Sequence, residues 1–445
     1  MFFLVFVVII LAVRFRRYPF RLVCENQQRY LLIMSQINKP QIPQRQCNIL
    51  DYGAIGDGKT KNTQAISQAI ADCSQKGGGK VIFPAGKWFT GPIHFLDNIE
   101  LTLLVGAEIN FSDNRSDYLP LVLSRYQGMD YYNYSPLIYA RDCQNIAITG
   151  KGKIVGNGEK WRVWSDKPQD PDAGAELVAM VKSGVPAEER IFGEPYGLRP
   201  SFVQFVNCKN ILVQGISIED GPMWTIHPIY SENVTIDNVK INTYGINTDG
   251  IDVDSSKNVL IKNSDISAGD DAISIKSGLG IDKLSPNRPS ENVVIENCQM
   301  KKGHSGISIG SELTGGIKNI IMKNNIFSST NDGFKIKSSA DRGGMVENIW
   351  LDKTQMSVNA HAILLDMFYD SHVHADSNQA SVVKNILISN TNITKAQNAF
   401  MINSTDKEHV FNVIVTNFNA VSGRGIQVDN VGRFEIDRIS VKSKR

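Results

Sequence analysis

Asn233-Val234-Thr235-Ile236 is one copy of a short motif, an asparagine followed by alternating branched residues, that recurs along most of the chain. Further copies start at Asn145, Asn210, Asn258, Asn292, Asn319, Asn348, Asn385 and Asn412. Each unit holds two or three strand-length runs, which cannot bury an apolar face alone and must stack on their neighbours. The repeat therefore predicts an all-β fold, a parallel β-solenoid in which each coil contacts the next.

In-register stacking of these coils would align the asparagines in a hydrogen-bonded ladder and place Ile and Val in the interior. A propeller is the alternative, but a blade needs four strands in about 40 residues, and these units are too short and irregular. Upstream, Ala65, Ile66, Ala69, Ile70 and Cys73 recur at helical spacing. We expect this short helix to cap the open end of the first coil.

Composition narrows the function classes. The chain has 445 residues with 47 Lys+Arg against 45 Asp+Glu, a net charge of +2, which does not favour nucleic-acid binding. The six cysteines form no CxxC pair, so a thiolate metal site is not expected. Cys143, Cys208 and Cys298 occupy matching repeat positions and should be buried, and a Cys47–Cys73 disulfide stays open.

The N-terminal segment allows two interpretations. Residues 2–13 are an unbroken apolar run, too short for a comfortable membrane span and similar to a signal-peptide core. No basic residue precedes the run, and Met34 lies just before the first domain-like sequence. We assign residues 1–46 to an extension, either a signal or anchor segment or a mis-assigned start, and residues 47–445 to the solenoid domain. The first case predicts an extracellular or periplasmic protein, the second a cytoplasmic one, and neither predicts stable membrane insertion.

One long stretch, Gly158 to Pro200, interrupts the repeat and contains Trp161, Trp164 and several prolines. Long loops inserted in compact folds tend to be functional or disordered. We interpret this one as a functional insertion.

Acidic residues cluster on two neighbouring coils. Asn247-Thr248-Asp249-Gly250 is followed by Gly269-Asp270-Asp271, and Asp249 and Asp271 are one coil apart. Residues in stacked coils lie about 4.8 Å apart. Carboxylates that close are costly unless they share protons or bind a cation, and such clusters mostly serve chemistry. Asp252 and Asp254, by contrast, are expected to be solvated or bonded in turns.

Cations follow on the next coils. His304 lies about one coil beyond Asp271, and Lys335-Ile336-Lys337 about one coil beyond His304. Because Ile336 points inward, both lysines should face outward beside the acids. Any one of these residues alone would be read as a turn or a solvated face; their coincidence on stacked coils indicates a site.

Paired carboxylates beside cations are typical of glycoside hydrolysis, with the lysines pairing with carboxylates of an acidic polysaccharide. That chemistry needs no metal and no cofactor. Two alternatives stay open: a calcium-dependent lyase on the same fold, and a β-helical carbohydrate-binding or adhesion protein without catalysis.

From about Cys47 onward the chain resembles the polygalacturonases, family 28 glycoside hydrolases. The resemblance rests on Asn247-Thr248-Asp249, Gly269-Asp270-Asp271, Gly303-His304 and Lys335-Ile336-Lys337, in the family's order. It implies a right-handed parallel β-helix, a monomer, and inverting hydrolysis of α-1,4-galacturonosyl bonds in polygalacturonate. A rhamnogalacturonan-type hydrolase is the alternative within this class.

Residue roles follow from the same resemblance. It implies Asp270 as general acid, Asp249 and Asp271 as the pair that activates water, and His304 as support for the acid's protonation state. It also implies substrate binding by Asn247, Lys335, Lys337 and Tyr369.

The chain departs from the usual family pattern at two positions, and two of its segments look like one branch of the family. Lys335 stands where the family usually has arginine, and Ser305 stands where it usually has glycine. The segments 198–205 and 222–228 look like the bacterial and plant-like branch, which includes exo-acting members. Insertion 158–200 is similar to loops that close one end of their cleft, so we expect exo action, with Trp161 and Trp164 covering a sugar face.

Overall fold

The structure is a computed structural model that describes residues 21–166, 172–370, 373–374 and 379–443. The chain winds as a right-handed parallel β-helix with three sheet faces, as the repeat and the resemblance predict. Face 1 consists of Gln46–Asn48, Gly79–Phe83, Ile99–Leu103, Gln144–Gly150, Lys209–Gln214, Glu232–Asp237, Lys257–Lys262, Ser290–Glu296, Ile317–Lys323, Met345–Asp352, Val382–Lys395, Val410–Ser422 and Phe434–Ser443.

Face 2 merges with face 1 in the last three long strands and otherwise consists of Gly86–Thr90, Ala107–Phe111, Lys153–Val155, Ser217–Glu219, Lys240–Asn242, Asp265–Ser267, Gln299–Lys302, Ile326–Ser328 and Gln355–Ser357. Face 3 consists of Ile93–His94, Ile138–Arg141, Val203–Val206, Ile226–Ile229, Ile251–Asp254, Ile273–Lys276, Ser305–Gly310, Asp332–Lys337, Ile363–Asp366, Asn398–Asn403 and Arg424–Asp429. Short 3-10 turns lie at Ile49–Tyr52, Arg115–Tyr118 and Ala187–Glu189.

The repeated asparagines form the predicted ladder. Asn233 Nδ2 donates to Asn210 Oδ1 at 3.0 Å, and Asn210 donates in turn to Asn145 at 3.0 Å. The repeated asparagines each have φ between 53° and 60°, in the left-handed region. Asparagine tolerates that conformation better than most residues. Asparagine therefore suits these positions for two reasons: it tolerates the left-handed backbone bend, and its side-chain amide joins the ladder.

Stacked Ile and Val side chains fill the interior, and Cys143, Cys208 and Cys298 are buried as predicted. Helix α2, Thr63–Gln75, covers the first coil with its Ala/Ile/Cys face buried. Cys47 and Cys73 are both buried free thiols, so the disulfide that the sequence left open is not formed in the structure.

Residues 21–36 form helix α1, which lies along the outside of face 1. Ile33 packs into a stripe of outward-facing apolar residues that runs up six strands: Leu260, Val294, Ile321, Trp350, Leu387 and Ile414. Tyr30 donates to Glu296 at 3.0 Å. This part of the extension is therefore packed against the solenoid, whereas the apolar run 2–13 lies outside the described residues. Within the described ranges, no helix is long and apolar enough to cross a membrane.

A hairpin and the insertion stand beside the solenoid. The hairpin strands are Val122–Tyr126 and Met129–Asn133, and the strand Ile191–Phe192 extends their sheet. The insertion forms helices α3, Glu159–Asp166, and α4, Ala173–Lys182. Trp161 is 1% exposed and packs edge-on against Tyr118 and Tyr134. The expectation that Trp161 covers a sugar is wrong, because its ring fills the core; the side chain of Trp164 lies outside the described residues.

Candidate active site

Three carboxylates meet on the outer surface of face 3. Ile251 pairs in register with Ile273, which places Asp249 beside Asp271 on the neighbouring coil. Asp249, Asp270 and Asp271 each offer one oxygen, and these oxygens lie within 4.8 Å of one another. The stacking inferred from the one-coil spacing of Asp249 and Asp271 is present in the structure.

Asp270 is paired with His304, whose Nδ1 lies 3.1 Å from Oδ1 of Asp270. Burial raises the pKa of Asp270, but the hydrogen bond and charge of His304 and the charge of Lys337 together bring the pKa below its ordinary value. The same hydrogen bond raises the pKa of His304. The two groups therefore hold one proton between them, with the imidazolium as its resting place.

Asp271 is held as an anion. Burial alone would raise its pKa, but Lys337 Nζ lies 2.8 Å away and Ser308 Oγ donates at 2.6 Å. The positive charge of Lys337 and these hydrogen bonds hold the pKa of Asp271 well below its usual range. Asp271 is therefore unprotonated, which is the charge state that a group accepting a proton from water must have.

Asp249 has the opposite protonation tendency. Burial, followed by the negative charges of Asp252 and Asp270, raises the pKa of Asp249 well above its ordinary value. Asp249 and Asp271 thus form a stacked pair in which one carboxyl favours the proton and the other the charge. Such a pair can orient a water by donating to it and accepting from it.

The two lysines of the motif lie side by side on the next coil. Lys335 Nζ is 3.1 Å from Asp332, and Lys337 is the partner of Asp271. Both ammonium groups lie over the ring of Tyr369, at 5.6 and 5.3 Å from its centroid. Asn247 donates its backbone N–H to Asp270 at 3.3 Å and accepts from Arg199 through its side chain at 2.9 Å.

All eight residues selected from the sequence line one pocket of about 390 Å³. The structure therefore brings together Asn247, Asp249, Asp270, Asp271, His304, Lys335, Lys337 and Tyr369.

Sequence reasoning missed several other residues of this pocket. They include Tyr126 and Gln127 from the hairpin tip, Trp224, Lys276, Glu312 and Arg342. Lys276 could have been predicted, since it occupies the outward-facing position of the strand that follows Asp271. The hairpin carried none, because it lies outside the repeat.

Asp252 and Asp254 correct a second expectation. Both are fully buried and ion-paired rather than solvated: Asp252 with Lys276 at 3.5 Å, and Asp254 with Arg125 at 2.9 Å. Arg125 comes from the hairpin, so this pair ties the hairpin to face 3. The sequence around Asp254 does not indicate a partner 129 residues away.

The insertion supports the pocket indirectly, through the hairpin. Among its described residues, 197–199 line an adjoining cavity of about 200 Å³ that also touches Tyr126 and Asn247, and none lines the main pocket. Leu177 of helix α4 belongs to the same buried apolar cluster as Met129 and Tyr131 of the second hairpin strand and Leu279. The hairpin tip forms the wall of the pocket, and the insertion supports it from behind.

The three carboxylates also have the spacing of a possible cation site. Two of them already face positive side chains, Asp270 facing His304 and Asp271 facing Lys337. With different protonation states on neighbouring carboxyls, the arrangement is suited to acid–base chemistry.

Among known proteins, the chain is similar to family 28 glycosyl hydrolases and to polygalacturonases. Residues 194–384 match the model of Glycosyl hydrolases family 28, and residues 46–112 match that of Rhamnogalacturonase A/epimerase, pectate lyase-like. The crystal structure of a hyperthermoactive exopolygalacturonase from Thermotoga maritima superposes with a TM-score of 0.88 at 34% identity. That match covers 94% of this chain and 96% of the Thermotoga chain.

Two curated relatives are similar at lower identity. A probable polygalacturonase of Vitis vinifera is 28% identical over 76% of this chain and 67% of the relative. An exo-poly-alpha-D-galacturonosidase of Dickeya chrysanthemi is 29% identical over 72% of this chain, which spans only 57% of that enzyme.

Proposed function

Since this chain belongs to glycosyl hydrolase family 28, we propose that it hydrolyses α-1,4-galacturonosyl bonds of polygalacturonate and pectin, starting from a chain end. The observation that carries the proposal is the grouping of Asp249, Asp270 and Asp271 within 4.8 Å, with a proton held at His304. The Thermotoga relative, an exopolygalacturonase, supports the same activity.

In the proposed reaction, His304 gives its proton to Asp270, 3.1 Å away, as Asp270 protonates the glycosidic oxygen. Asp271, kept anionic by Lys337, accepts a proton from the attacking water, while Asp249 orients that water. The C–O bond to the leaving sugar breaks as the water oxygen bonds to the anomeric carbon. The released sugar keeps the hydroxyl of the water. Asp271 then releases to solvent the proton that it took from the water, and His304 regains a proton from solvent.

The inverting outcome rests on family membership and not on the spacing of the acids. Inverting glycosidases commonly hold their two carboxyl groups about 6.5–9.5 Å apart. Here the nearest oxygens lie within 4.8 Å. We therefore infer that the water lies beside the stacked Asp249–Asp271 pair rather than in a gap between a distant acid and base.

The substrate class follows from the lysines. Lys335 and Lys337 place two ammonium groups over Tyr369 at the edge of the pocket. A galacturonate carboxylate can pair with them, and the tyrosine offers an apolar face to the sugar ring. A neutral polysaccharide would leave both charges without a function in binding.

Chain-end action is supported by the wall of the pocket. Tyr126 and Gln127 at the hairpin tip line the same pocket as the acids, where an open cleft would need room for further sugars. Arg125 anchors that tip to buried Asp254 at 2.9 Å. We propose that the enzyme is extracellular or periplasmic; a chain translated from Met34 would instead be cytoplasmic.

A product profile tests the proposal. Purified protein incubated with polygalacturonate should release galacturonic acid or its dimer from the start, with little loss of viscosity. Asp270→Asn should abolish release, whereas Asp265→Asn, on the same coil but on face 2, should leave it intact. Unsaturated products, or no products at all, would overturn the proposal.

A further inference from the structure

A second charged group lies in the same pocket and has no part in the acid–base steps. Lys276 ends the strand Ile273–Lys276, and Glu312 follows the neighbouring strand Ser305–Gly310. Both line the pocket, yet they are only 6% and 5% exposed. Their charged ends meet at 3.4 Å between Lys276 Nζ and Glu312 Oε2.

Lys276 is fixed from several sides. Its ammonium lies 3.5 Å from Asp252 Oδ1 and 4.7 Å from the ring centroid of Trp224. The Trp224 ring is stacked at 20° on Tyr126 of the hairpin tip. The position of Lys276 is therefore set by the protein, and Lys276 in turn holds Glu312 in place.

Glu312 is short of donors. A carboxylate has about four acceptor positions. In the described part of the chain, Glu312 accepts a side-chain hydrogen bond from Lys276, over a long 3.4 Å, and the charge of Arg342 also acts on Glu312. A buried carboxylate is costly unless further donors reach it. Sugar hydroxyls are such donors, whereas the sugar carboxylate would be repelled by Glu312 and attracted to Lys335 and Lys337.

Lys276 interacts electrostatically with the proposed water-holding carboxylates, Asp249 and Asp271. The acid Asp270 instead interacts with His304 and Lys337. The sugar beside the water-holding carboxylates is the one whose anomeric carbon is attacked. In the proposed binding mode, the non-reducing end of the substrate points toward the wall to which Tyr126 belongs.

Resting on the proposed function, we propose that Glu312, positioned by Lys276, selects the chain end by accepting a hydrogen bond from the 4-hydroxyl of the terminal galacturonate. In an α-1,4-linked chain, every sugar except the non-reducing terminal one has its O4 in a glycosidic bond. An internal sugar therefore presents to Glu312 an ether oxygen, and an ether oxygen cannot donate a hydrogen bond. The pair would add chemical selection to the steric wall of the hairpin.

The test compares two substrates, trigalacturonate and a trigalacturonate with a 4,5-unsaturated end, which lacks the 4-hydroxyl. A hydrogen bond to a buried carboxylate predicts a kcat/KM about 10–100-fold higher for the saturated substrate with the wild type. Glu312→Leu should bring the ratio close to one, mainly by losing activity on the saturated substrate. Glu312→Gln, which keeps an acceptor and nearly the same shape, should give an intermediate ratio.

Glu291→Leu, on face 1 and paired with Lys318, is the matched control and should keep the wild-type ratio. Equal use of both substrates by the wild type would overturn the inference without any variant. A ratio unchanged in Glu312→Leu would also overturn it, because ring shape rather than the hydroxyl would then cause the preference. Failure of the wild type to cleave trigalacturonate would instead overturn the proposed function.

Discussion

His304 and Asp270 form a hydrogen-bonded pair on successive coils, with 3.1 Å between Nδ1 and Oδ1. The hydrogen bond raises the pKa of His304 above its ordinary value of 6.5 and lowers that of Asp270. The shared proton is present below the raised imidazole pKa and is lost as the pH rises through it. Activity should therefore fall on the alkaline side of that pKa.

Replacing this imidazole should move the alkaline limb. In His304→Gln the proton must be held by Asp270 alone, so the limb should shift by about 2 pH units toward the carboxyl range. Profiles of kcat/KM against pH for the wild type, His304→Gln and the control His409→Gln, a half-buried histidine that is not among the pocket residues, measure the shift. An unchanged limb in His304→Gln would remove the imidazole from proton supply.

The three carboxylates should be individually essential for turnover. We expect Asp249→Asn, Asp270→Asn and Asp271→Asn each to lose about 10²–10⁴-fold in kcat, the range of one acid–base group. The losses should not add in a double variant, because the groups act as a unit. Initial rates on trigalacturonate, with thermal unfolding to check folding, decide this; near-normal turnover in any one variant would exclude that residue from the chemistry.

The two motif lysines should respond differently to substitution. Lys337→Ala leaves the charge of buried Asp271 unpaired, which costs about 3–5 kcal/mol when a buried pair is broken and should reduce activity strongly. Lys335→Arg keeps the charge beside Asp332 and Tyr369 and adds a planar fork for a sugar carboxylate, so KM should be unchanged or lower. Loss of activity in Lys335→Arg would show that lysine itself is required there.

The hairpin tip, rather than the insertion, should control endo against exo action directly. Tyr126→Ala shortens the wall and removes the ring stacked on Trp224, so internal bonds should become accessible. Viscosity loss per bond cleaved should then rise above the wild-type value. Tyr132→Ala, on the same hairpin but not among the pocket residues, is the control, and an equal effect in both variants would contradict the assignment of the wall.

Helix α1 should stabilise the solenoid. Ile33 is 2% exposed against the apolar stripe, whereas Leu31 on the opposite side of the helix is 60% exposed. Ile33→Ala should cost about 2–5 kcal/mol of unfolding free energy, and Leu31→Ala within about 0.5 kcal/mol. Denaturant unfolding compares them; equal values would mean that α1 does not pack on face 1 in solution.

The solenoid and the acid cluster could be predicted from the sequence because both depend on the coil repeat. Asn210 predicts its ladder partners through spacing alone, and Asp249 predicts its neighbour Asp271 in the same way. The wall and the buried pairs were not predictable, since Arg125 meets Asp254 across 129 residues and the hairpin carries no repeat. Trp161 was misread because an aromatic residue in an insertion has the same local pattern whether it faces a ligand or the core.

The stereochemistry of the first product tests the central claim most directly, because it reports the face of the anomeric carbon that the water attacks. Proton NMR of wild-type enzyme acting on trigalacturonate resolves the anomers as they form. The proposed mechanism predicts that β-galacturonate appears first and converts slowly to the α form. An α anomer formed first would contradict water attack assisted by Asp249 and Asp271, and olefinic signals would contradict hydrolysis altogether.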